Sequence, residues 1–455
     1  MSHVNDLSEL GDDLSGEVIA PDDAGYDEAR RMFYGGLDRH PAAIVRVTDG
    51  PDVATAIRFA RATGLEFTVR SGGHSVAGHS IVDGGIVIDV RGLDHVEIDA
   101  GRATAWAGSG LTAAELCAVT AEHGLAVGFG DSGSVGIGGI TLGGGVGFLA
   151  RKYGLTIDSV LAVELVTVDG ELIVADDSNH PDLFWALRGG GGNFGVVTRF
   201  QYALHPVDRV LGGMMALPAT PEVIAGFVAE SAAAPDELSA IGNVMSAPPM
   251  PFLPEELVGQ TVLLAIMVWC GDLEEGRAVI DRFRALATPL ADFVDEIGYP
   301  EIYPPEDDSY QPLAVALTGF TETFDDDKVA ETIAAIAASD APMRAVQLRV
   351  LGGQVARVPA DATAYAHRDR EIMLNIASFY EEESELPRRE AGVADLHRLL
   401  TDGDQTGYVG FLADEGPERV RAAYPGATWD RLREVKAKYD PENLLHHNQN
   451  IPPAS

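Results

Sequence analysis

The sequence predicts an α+β protein of two domains, and three observations carry that prediction. At 455 residues the chain is longer than one hydrophobic core ordinarily serves. Residues 1–206 alternate short strands, glycine turns and helices. From Val207 glycine thins, and alanine-rich amphipathic stretches such as "DDDKVAETIAAIAAS" separate strand-like runs such as "QTVLLAIMVW" and "MRAVQLRVLGG". The predicted division is 1–206, 207–415 and a polar C-terminal segment, 416–455.

Each element follows from local chemistry. "AAIVRV" (42–47) reads as a strand, and "PDVATAIRFARATG" as a helix with Gly64 just past its end, where a left-handed residue stops the coil. "EFTVR" is a strand that runs into "SGGHSVAGHS", and "GIVIDV" and "ATAWAG" are further strands. "LTAAELCAVTAEHG" is a helix opened by a Thr112–Glu115 capping box and closed by Gly124. "VELVTVDGELIVA" is a hairpin turning at Asp169-Gly170. In the second domain, prolines at 248–254 and 300–305 mark loops. The tail "KYDPENLLHHNQNIPPAS" carries too many Asn, Gln and His residues for a free end, so it is expected to dock.

Composition excludes several functions. The net charge of −38 repels phosphate, which argues against nucleic acid and anionic lipid as partners. No apolar run reaches about 18 residues, so no membrane-spanning helix is expected. The N-terminus lacks a basic stretch followed by an apolar one, which leads to the expectation of a cytoplasmic protein. Cys117 and Cys270 are the two cysteines, far apart and without a CxxC, so neither a disulfide framework nor a zinc cluster is expected. Cys117 reads as a buried small residue. The acidic runs at 325–328 and 381–384 read as solvated surface rather than metal sites. With lysine reduced to Lys152, Lys328, Lys436 and Lys438, they suit a halophile's protein in which salt screens self-repulsion.

Three glycine-bearing segments compete for a cofactor. Gly108-x-Gly110-x-x-Ala113 mimics a dinucleotide fingerprint, with Asp131 placed where such a fold needs an acid, but no regular βαβ series follows it. "GFGDSGSVGIGGITLGGGVGFLARKYGL" (128–155) is a stronger signal. So much glycine is entropically expensive in a linker, whereas it lets backbone N–H groups approach phosphate oxygens without any lysine. The third segment, "RSGGHS" (70–75), places His74 directly after a strand and a glycine pair.

Four segments occur in one order: "RSGGHS" at 70–75, "SVGIGGITLGGGVGFLARKYGL" at 134–155, "DLFWALRGGGGNFGVVT" at 182–198 and "YDPENLLHHNQNIPP" at 439–453. Together they resemble the berberine-bridge-enzyme-like flavin oxidoreductases of the vanillyl-alcohol-oxidase superfamily. The resemblance implies a two-part PCMH-type FAD-binding domain, with a substrate domain built on an antiparallel sheet covered by helices. It implies that His74 bonds covalently to the flavin, and that Arg70, Ser71, Gly72, Gly73 and Ser75 wrap the pyrophosphate. Gly78 and His79 follow in the same loop, His79 as a hydrogen-bonding neighbour of the cofactor. Val135, Gly136, Gly138, Gly139 and Gly143 of the second segment, with Val197, Asn448 and Asn450, complete the implied FAD contacts. Asn448, Gln449 and Asn450 are expected to reach back to the flavin domain. Many relatives place a second flavin-bonding cysteine where this chain has Ser132, so a single covalent link is expected. Val135 stands where relatives gate oxygen, and its small side chain leans towards an oxidase.

A flavin accepts hydride from a carbon bearing a hydroxyl or amine, and the protein must position that carbon and manage a proton. In relatives a Tyr-x-Asn-Tyr stretch supplies the base. Here "TGYVGFLADEG" keeps Tyr408 but has Gly410 and Phe411 at the other positions. Tyr408 and Tyr153 are therefore the candidate bases. A free tyrosine, with a pKa of about 10, needs a positive neighbour or hydrogen bonds for that role. Gln347 and Arg349 lie two apart on a strand, hence on one face, and are candidate substrate handles. His367 and Arg368 read as helix surface, with a site-lining role as the alternative. The function implied is an FAD-dependent oxidase taking hydride from an alcohol or amine carbon of a small molecule and passing electrons to oxygen. The alternatives are a flavin dehydrogenase with another acceptor, a nicotinamide-dependent dehydrogenase at Gly108–Ala113, and a non-catalytic flavin-binding protein.

Overall fold

The computed structural model describes residue 7 and residues 10–249, 254–305 and 310–455. The loop expected at the proline cluster 248–254 falls partly outside the described residues, whereas that at 300–305 lies within them and begins in a 3-10 turn at Tyr299–Ile302.

Among the described residues, the first domain is built on two larger sheets, with a two-stranded ribbon of Leu125–Ala126 and His205–Pro206 beside them. Ala43–Arg46 and Phe67–Arg70 both pair in parallel with the central Ile86–Asp89, while Glu17–Ile19 adds an antiparallel edge. The helix Gly50–Thr63 crosses over between the first two of these. Asp49 caps its N-terminus and Gly64 ends it in the left-handed region at φ 69°. Parallel strands covered by a helix are buried on both faces, which is why "AIV" and "IVI" show no polar alternation.

The second sheet is antiparallel, in the order Val96–Asp99, Thr104–Gly108, Val196–Ala203, Val160–Val166, Leu172–Ala175. The last two strands form the expected hairpin, with Gly170 at φ 81°. The Thr112–Glu115 capping box opens the helix Ala113–Ala121. Cys117 is fully buried, and both cysteines are free. This sheet also removes the dinucleotide alternative. Thr104–Gly108 pairs antiparallel on both sides rather than leading a parallel βαβ unit. A Cβ on Gly108 would lie 2.1 Å from the Leu93 carbonyl oxygen, and one on Gly110 2.0 Å from that of Val90. These glycines permit backbone packing and present no phosphate loop.

The substrate-side sheet is antiparallel throughout, running from Ala291–Asp292 through Arg209–Pro218, Thr261–Trp269, Leu238–Ser246, Arg344–Val350 and Ile372–Tyr380 to Leu313–Thr321. Helices Pro221–Ala233, Leu273–Arg284, Asp326–Ala337 and Leu386–Leu400 cover one face, burying Phe227, Ile280, Phe283 and Leu396 against Leu263, Val346, Leu348 and Leu374. The two-residue period of a strand then forces Gln347 and Arg349 onto the opposite face, towards the first domain.

The acidic runs are surface features. Asp325 caps the helix Asp326–Ala337, and Asp326 and Asp327 sit exposed in its first turn, where the helix dipole favours them. His367 and Arg368 correct the expectation made for them, since they neither form a helix surface nor line the large cavity. Both are buried: His367 Nε2 meets the Ala423 carbonyl at 2.9 Å, and Arg368 grips both oxygens of Asp158 at 2.7 and 2.8 Å. A bidentate carboxylate balances the guanidinium charge and takes its two terminal nitrogens where water does not reach them, while Nε is left without a partner.

Candidate active site

A cavity of about 540 Å³ lies between the glycine segments of the first domain and the open face of the substrate-side sheet. The strand Phe67–Arg70 delivers the loop 71–75 to its edge. There two backbones meet almost without side chains: a Cβ on Gly72 would sit 2.2 Å from the Gly136 nitrogen, and one on Gly136 2.2 Å from the Gly72 nitrogen. No other residue type allows that approach. Ser71 fastens the loop by donating its hydroxyl to the Ser109 carbonyl at 2.8 Å. Gly138, Gly139 and Gly143 line the wall from the helix Ile137–Gly143, and Gly139 has nothing within 4 Å of its Cβ position.

His74 lines the cavity with its ring stacked on Phe33, centroids 4.2 Å apart, and its Nε2 2.9 Å from the Ser134 hydroxyl. Ser75, Ser132, Val135, Val197 and Asn448 also line it. His79 does too. Its Nε2 is buried without a hydrogen-bond partner, and burial holds its pKa down to about 4, so the ring is neutral at physiological pH.

Three residues expected at the cofactor do not line the cavity. The Arg70 guanidinium turns away, because the Ala29 and Arg31 carbonyls accept from its two terminal nitrogens, while its buried Nε is left without a partner. It thereby anchors the segment that brings Phe33 to His74. Gly78, at φ 70°, makes the turn that lets its N–H reach the Ser75 carbonyl at 3.0 Å. Asn450 sits behind the wall with a buried Oδ1 that has no partner.

The tail docks as expected, through a buried clip. Lys436 and Asp440 pair at 2.7 Å with neither side chain exposed, and the ammonium also donates to the Asn193 and Leu445 carbonyls at 2.9 and 2.8 Å. The carboxylate accepts the Leu444 and Leu445 N–H groups. Asn448 donates to the Gly192 carbonyl at 3.1 Å, and Gln449 to that of Leu412 at 2.8 Å.

The opposite wall is polar and almost charge-neutral. Arg349 donates to Asp131 Oδ2 at 2.6 Å, to the Val146 carbonyl at 2.7 Å and, through Nε, to Gln347 Oε1 at 2.9 Å. Gln347 in turn donates to Asn243 Oδ1 at 3.1 Å. Burial alone would raise the Asp131 carboxyl, but the Arg349 guanidinium and its hydrogen bonds hold it below the usual carboxylate range. Asn375, opposite Gln347 in the strand register, also lines the cavity, and its Oδ1 is buried without a partner.

Tyr408 and Tyr153 part company. Tyr408 lines the cavity, and its hydroxyl accepts the Gly145 N–H at 2.9 Å. Burial pushes its phenol up to about 12, against the opposing pull of that N–H and of Arg349. The glycine after it is spatially required here, since a Cβ on Gly410 would lie 2.7 Å from the Tyr408 ring. Tyr153 lies outside the cavity, correcting the expectation that it is a second candidate base. Its ring stacks on His205 at 4.0 Å, and burial raises its phenol.

Sequence reading missed Phe33, Tyr34, Asp131 as the Arg349 partner, Asn375 and His447, all of which line the cavity. The aromatic pair in "RRMFYGG" was the one local signal. The others depend on which strand face and which loop meet across the domains.

A family model described as an FAD binding domain matches residues 41–176, and one described as berberine and berberine like matches residues 407–452. The (R)-6-hydroxynicotine oxidase of Paenarthrobacter nicotinovorans is 32% identical over 472 residues, covering 97% of each chain. The uncharacterized FAD-linked oxidoreductase YvdP of Bacillus subtilis is 32% identical over 97% of this chain and 99% of its own. The crystal structure of 6-hydroxy-D-nicotine oxidase from Arthrobacter nicotinovorans superposes with a TM-score of 0.86 at 26% identity, over 97% of this chain and 98% of its own. A variant of berberine bridge enzyme superposes with a TM-score of 0.86 at 21% identity, over 99% and 100% of the two chains, a likeness of fold.

Proposed function

This chain belongs to the berberine-bridge-enzyme-like FAD-linked oxidoreductases, and on that premise we propose that it oxidises a neutral, amine-bearing small molecule, with FAD carried on His74 and oxygen as the electron acceptor. The observation that carries the proposal is the two-sided cavity. One wall is glycine backbone ending at His74, and the other offers the neutral side chains Tyr408, Gln347 and Asn375, with the charges of Arg349 and Asp131 already paired.

The residues present fit FAD. The wall is built of close-packed glycines, and the His79 Nε2 and Asn448 Oδ1 beside it are buried without partners. Backbone N–H groups of 71–75 and of Gly136, Gly138 and Gly139 would hold the pyrophosphate, as amides can in a chain this acidic. His74, held by Phe33 and Ser134, is the covalent anchor, and Ser132 adds no second bond. Bound FAD supplies the hydride acceptor. We assign residues 1–206 and 416–455 to the FAD domain and 207–415 to the substrate domain, a division supported by a substrate-side sheet that runs from Arg209 to Tyr380.

The substrate class follows from the proton economy of the opposite wall. An alcohol must lose its hydroxyl proton as hydride leaves, whereas a neutral amine's lone pair supplies the electrons without a base. Tyr408, held at about 12, keeps its proton at neutral pH and serves as a hydrogen-bond donor. Asp131 is committed to Arg349, and since Arg349 is the one Lys or Arg among the described residues that line the cavity, none there is left for a substrate carboxylate. Asn375 Oδ1 accepts a substrate N–H or O–H. The 32%-identical oxidase is named for a nicotine derivative, in keeping with this reading. Loss of flavin colour under anaerobic conditions tests it across panels of secondary amines, polyols and carboxylic acids. Bleaching by amines is the expected result, and bleaching by acids or polyols alone overturns it.

The net charge of −38 supports a surface adapted to molar salt, where counterions screen the self-repulsion. Thermal unfolding in dilute buffer and in molar KCl checks this, with a higher midpoint expected in salt.

A further inference from the structure

Glu66, the residue before the strand Phe67–Arg70, meets two consecutive histidines of the docked tail. Its Oε2 lies 3.0 Å from His447 Nε2 and its Oε1 3.7 Å from His446 Nε2. The two imidazoles are neighbours, centroids 4.5 Å apart. One ligand atom from each of the three residues falls within 4.8 Å of the other two. The group is half-exposed, so an ion reaches it from solvent.

The orientation of His446 gives this cluster its meaning. His446 Nδ1 lies 2.9 Å from the Asn443 carbonyl oxygen. A carbonyl only accepts, so Nδ1 carries a proton, and Nε2 is the ring atom turned towards the Glu66 carboxylate. Both imidazoles thereby turn Nε2 towards the same carboxylate, the convergence of donor atoms that a bound cation uses. Fixing the tautomer by a bond from the other ring nitrogen is how proteins orient metal-ligating histidines.

We propose that Glu66, His446 and His447 form a divalent transition-metal site, with Zn²⁺ the best-matched ion, that clips the tail to the first domain. Two imidazoles and one carboxylate suit a borderline acid such as Zn²⁺, whereas Mg²⁺ and Ca²⁺ seek oxygen ligands. Three protein ligands leave a fourth position open to water. The clip closes one end of the large cavity, since His447 lines it together with Phe67 and Thr68. The metal site stands independently of the flavin reading, and only its effect on cofactor retention rests on that reading.

The test uses the flavin-loaded full chain, expressed without a histidine tag and stripped of metal with EDTA. Titration with ZnCl₂ is followed by calorimetry, with MgCl₂ as the control and Co²⁺ absorption as a report on ligand geometry. One equivalent of Zn²⁺ should bind, Mg²⁺ should not, and the thermal midpoint should rise with Zn²⁺. Glu66→Gln and His446→Ala should each weaken binding at least about tenfold while still unfolding cooperatively. Absence of stoichiometric Zn²⁺ binding, or equal affinity in both variants and the wild type, overturns the site. Flavin content is measured separately. A colourless protein that binds Zn²⁺ counts against the flavin reading alone, and a yellow one that does not bind it counts against the metal site alone.

Discussion

Arg349 and Asp131 join the two domains across the cavity at 2.6 Å, with the guanidinium buried on the sheet and the carboxylate on the second glycine segment. Asp131→Ala leaves the guanidinium buried without its counter-charge, at an expected cost of about 3 kcal/mol. The sign of the pH dependence follows from the depressed Asp131 pKa. The pair's contribution is fully present above the unfolded carboxylate value of about 3.9 and is lost as pH falls through the lower folded value. Urea midpoints between neutral pH and acid should therefore fall more steeply for the wild type than for Asp131→Ala. Parallel curves would count against the assignment.

His74→Ala should release flavin on acid denaturation, while wild-type precipitate stays yellow. The native variant should still bind FAD through the glycine wall, and its flavin should be a weaker oxidant, with slower reduction by substrate. Intact mass decides the matter: wild type should carry the added mass of one FAD, and a bare mass would show His74 to be only a loop residue.

Tyr408→Phe removes a phenol that stays protonated below about pH 12. We expect kcat/KM to drop by about tenfold, as for loss of one hydrogen bond of about 1.4 kcal/mol. The ratio of the two enzymes should be constant between about pH 6 and pH 10, roughly the range below that ionisation. A ratio that changes across this range would mean that Tyr408 ionises and acts as a base.

Val135→Leu adds one methylene to a cavity-lining position. Stopped-flow mixing of reduced enzyme with oxygen should show slower reoxidation, with flavin reduction nearly unchanged. Equal reoxidation rates would remove Val135 from the oxygen path.

Lys436→Met leaves the Asp440 carboxylate buried without its cation, which should destabilise the chain by about 3–5 kcal/mol. Deleting residues 446–455 keeps that clip but removes the Asn448 and Gln449 contacts, so flavin retention should fall more than stability does. A truncated chain with normal flavin content would show that the tail does not contribute to the site.

Much of this was legible along the chain. The capping box at Thr112, the left-handed stop at Gly64 and the Asp169-Gly170 turn are set by contacts within a few residues, so the elements they bound follow from sequence alone. The glycine pattern and the place of His74 after a strand are equally local, and the two-residue strand period put Gln347 and Arg349 on one face. Tertiary structure decided what those faces meet. Tyr408 and Tyr153 look alike in sequence, yet one ring packs beside Gly145 in the cavity and the other on His205 outside it. Arg70 was drawn away from the cavity by carbonyls at Ala29 and Arg31, and Asp131 acquired its partner from a strand 218 positions away. Backbone conformation is governed by neighbours in sequence, whereas burial, charge pairing and the pKa shifts they cause depend on neighbours in space, which only the packed chain brings together.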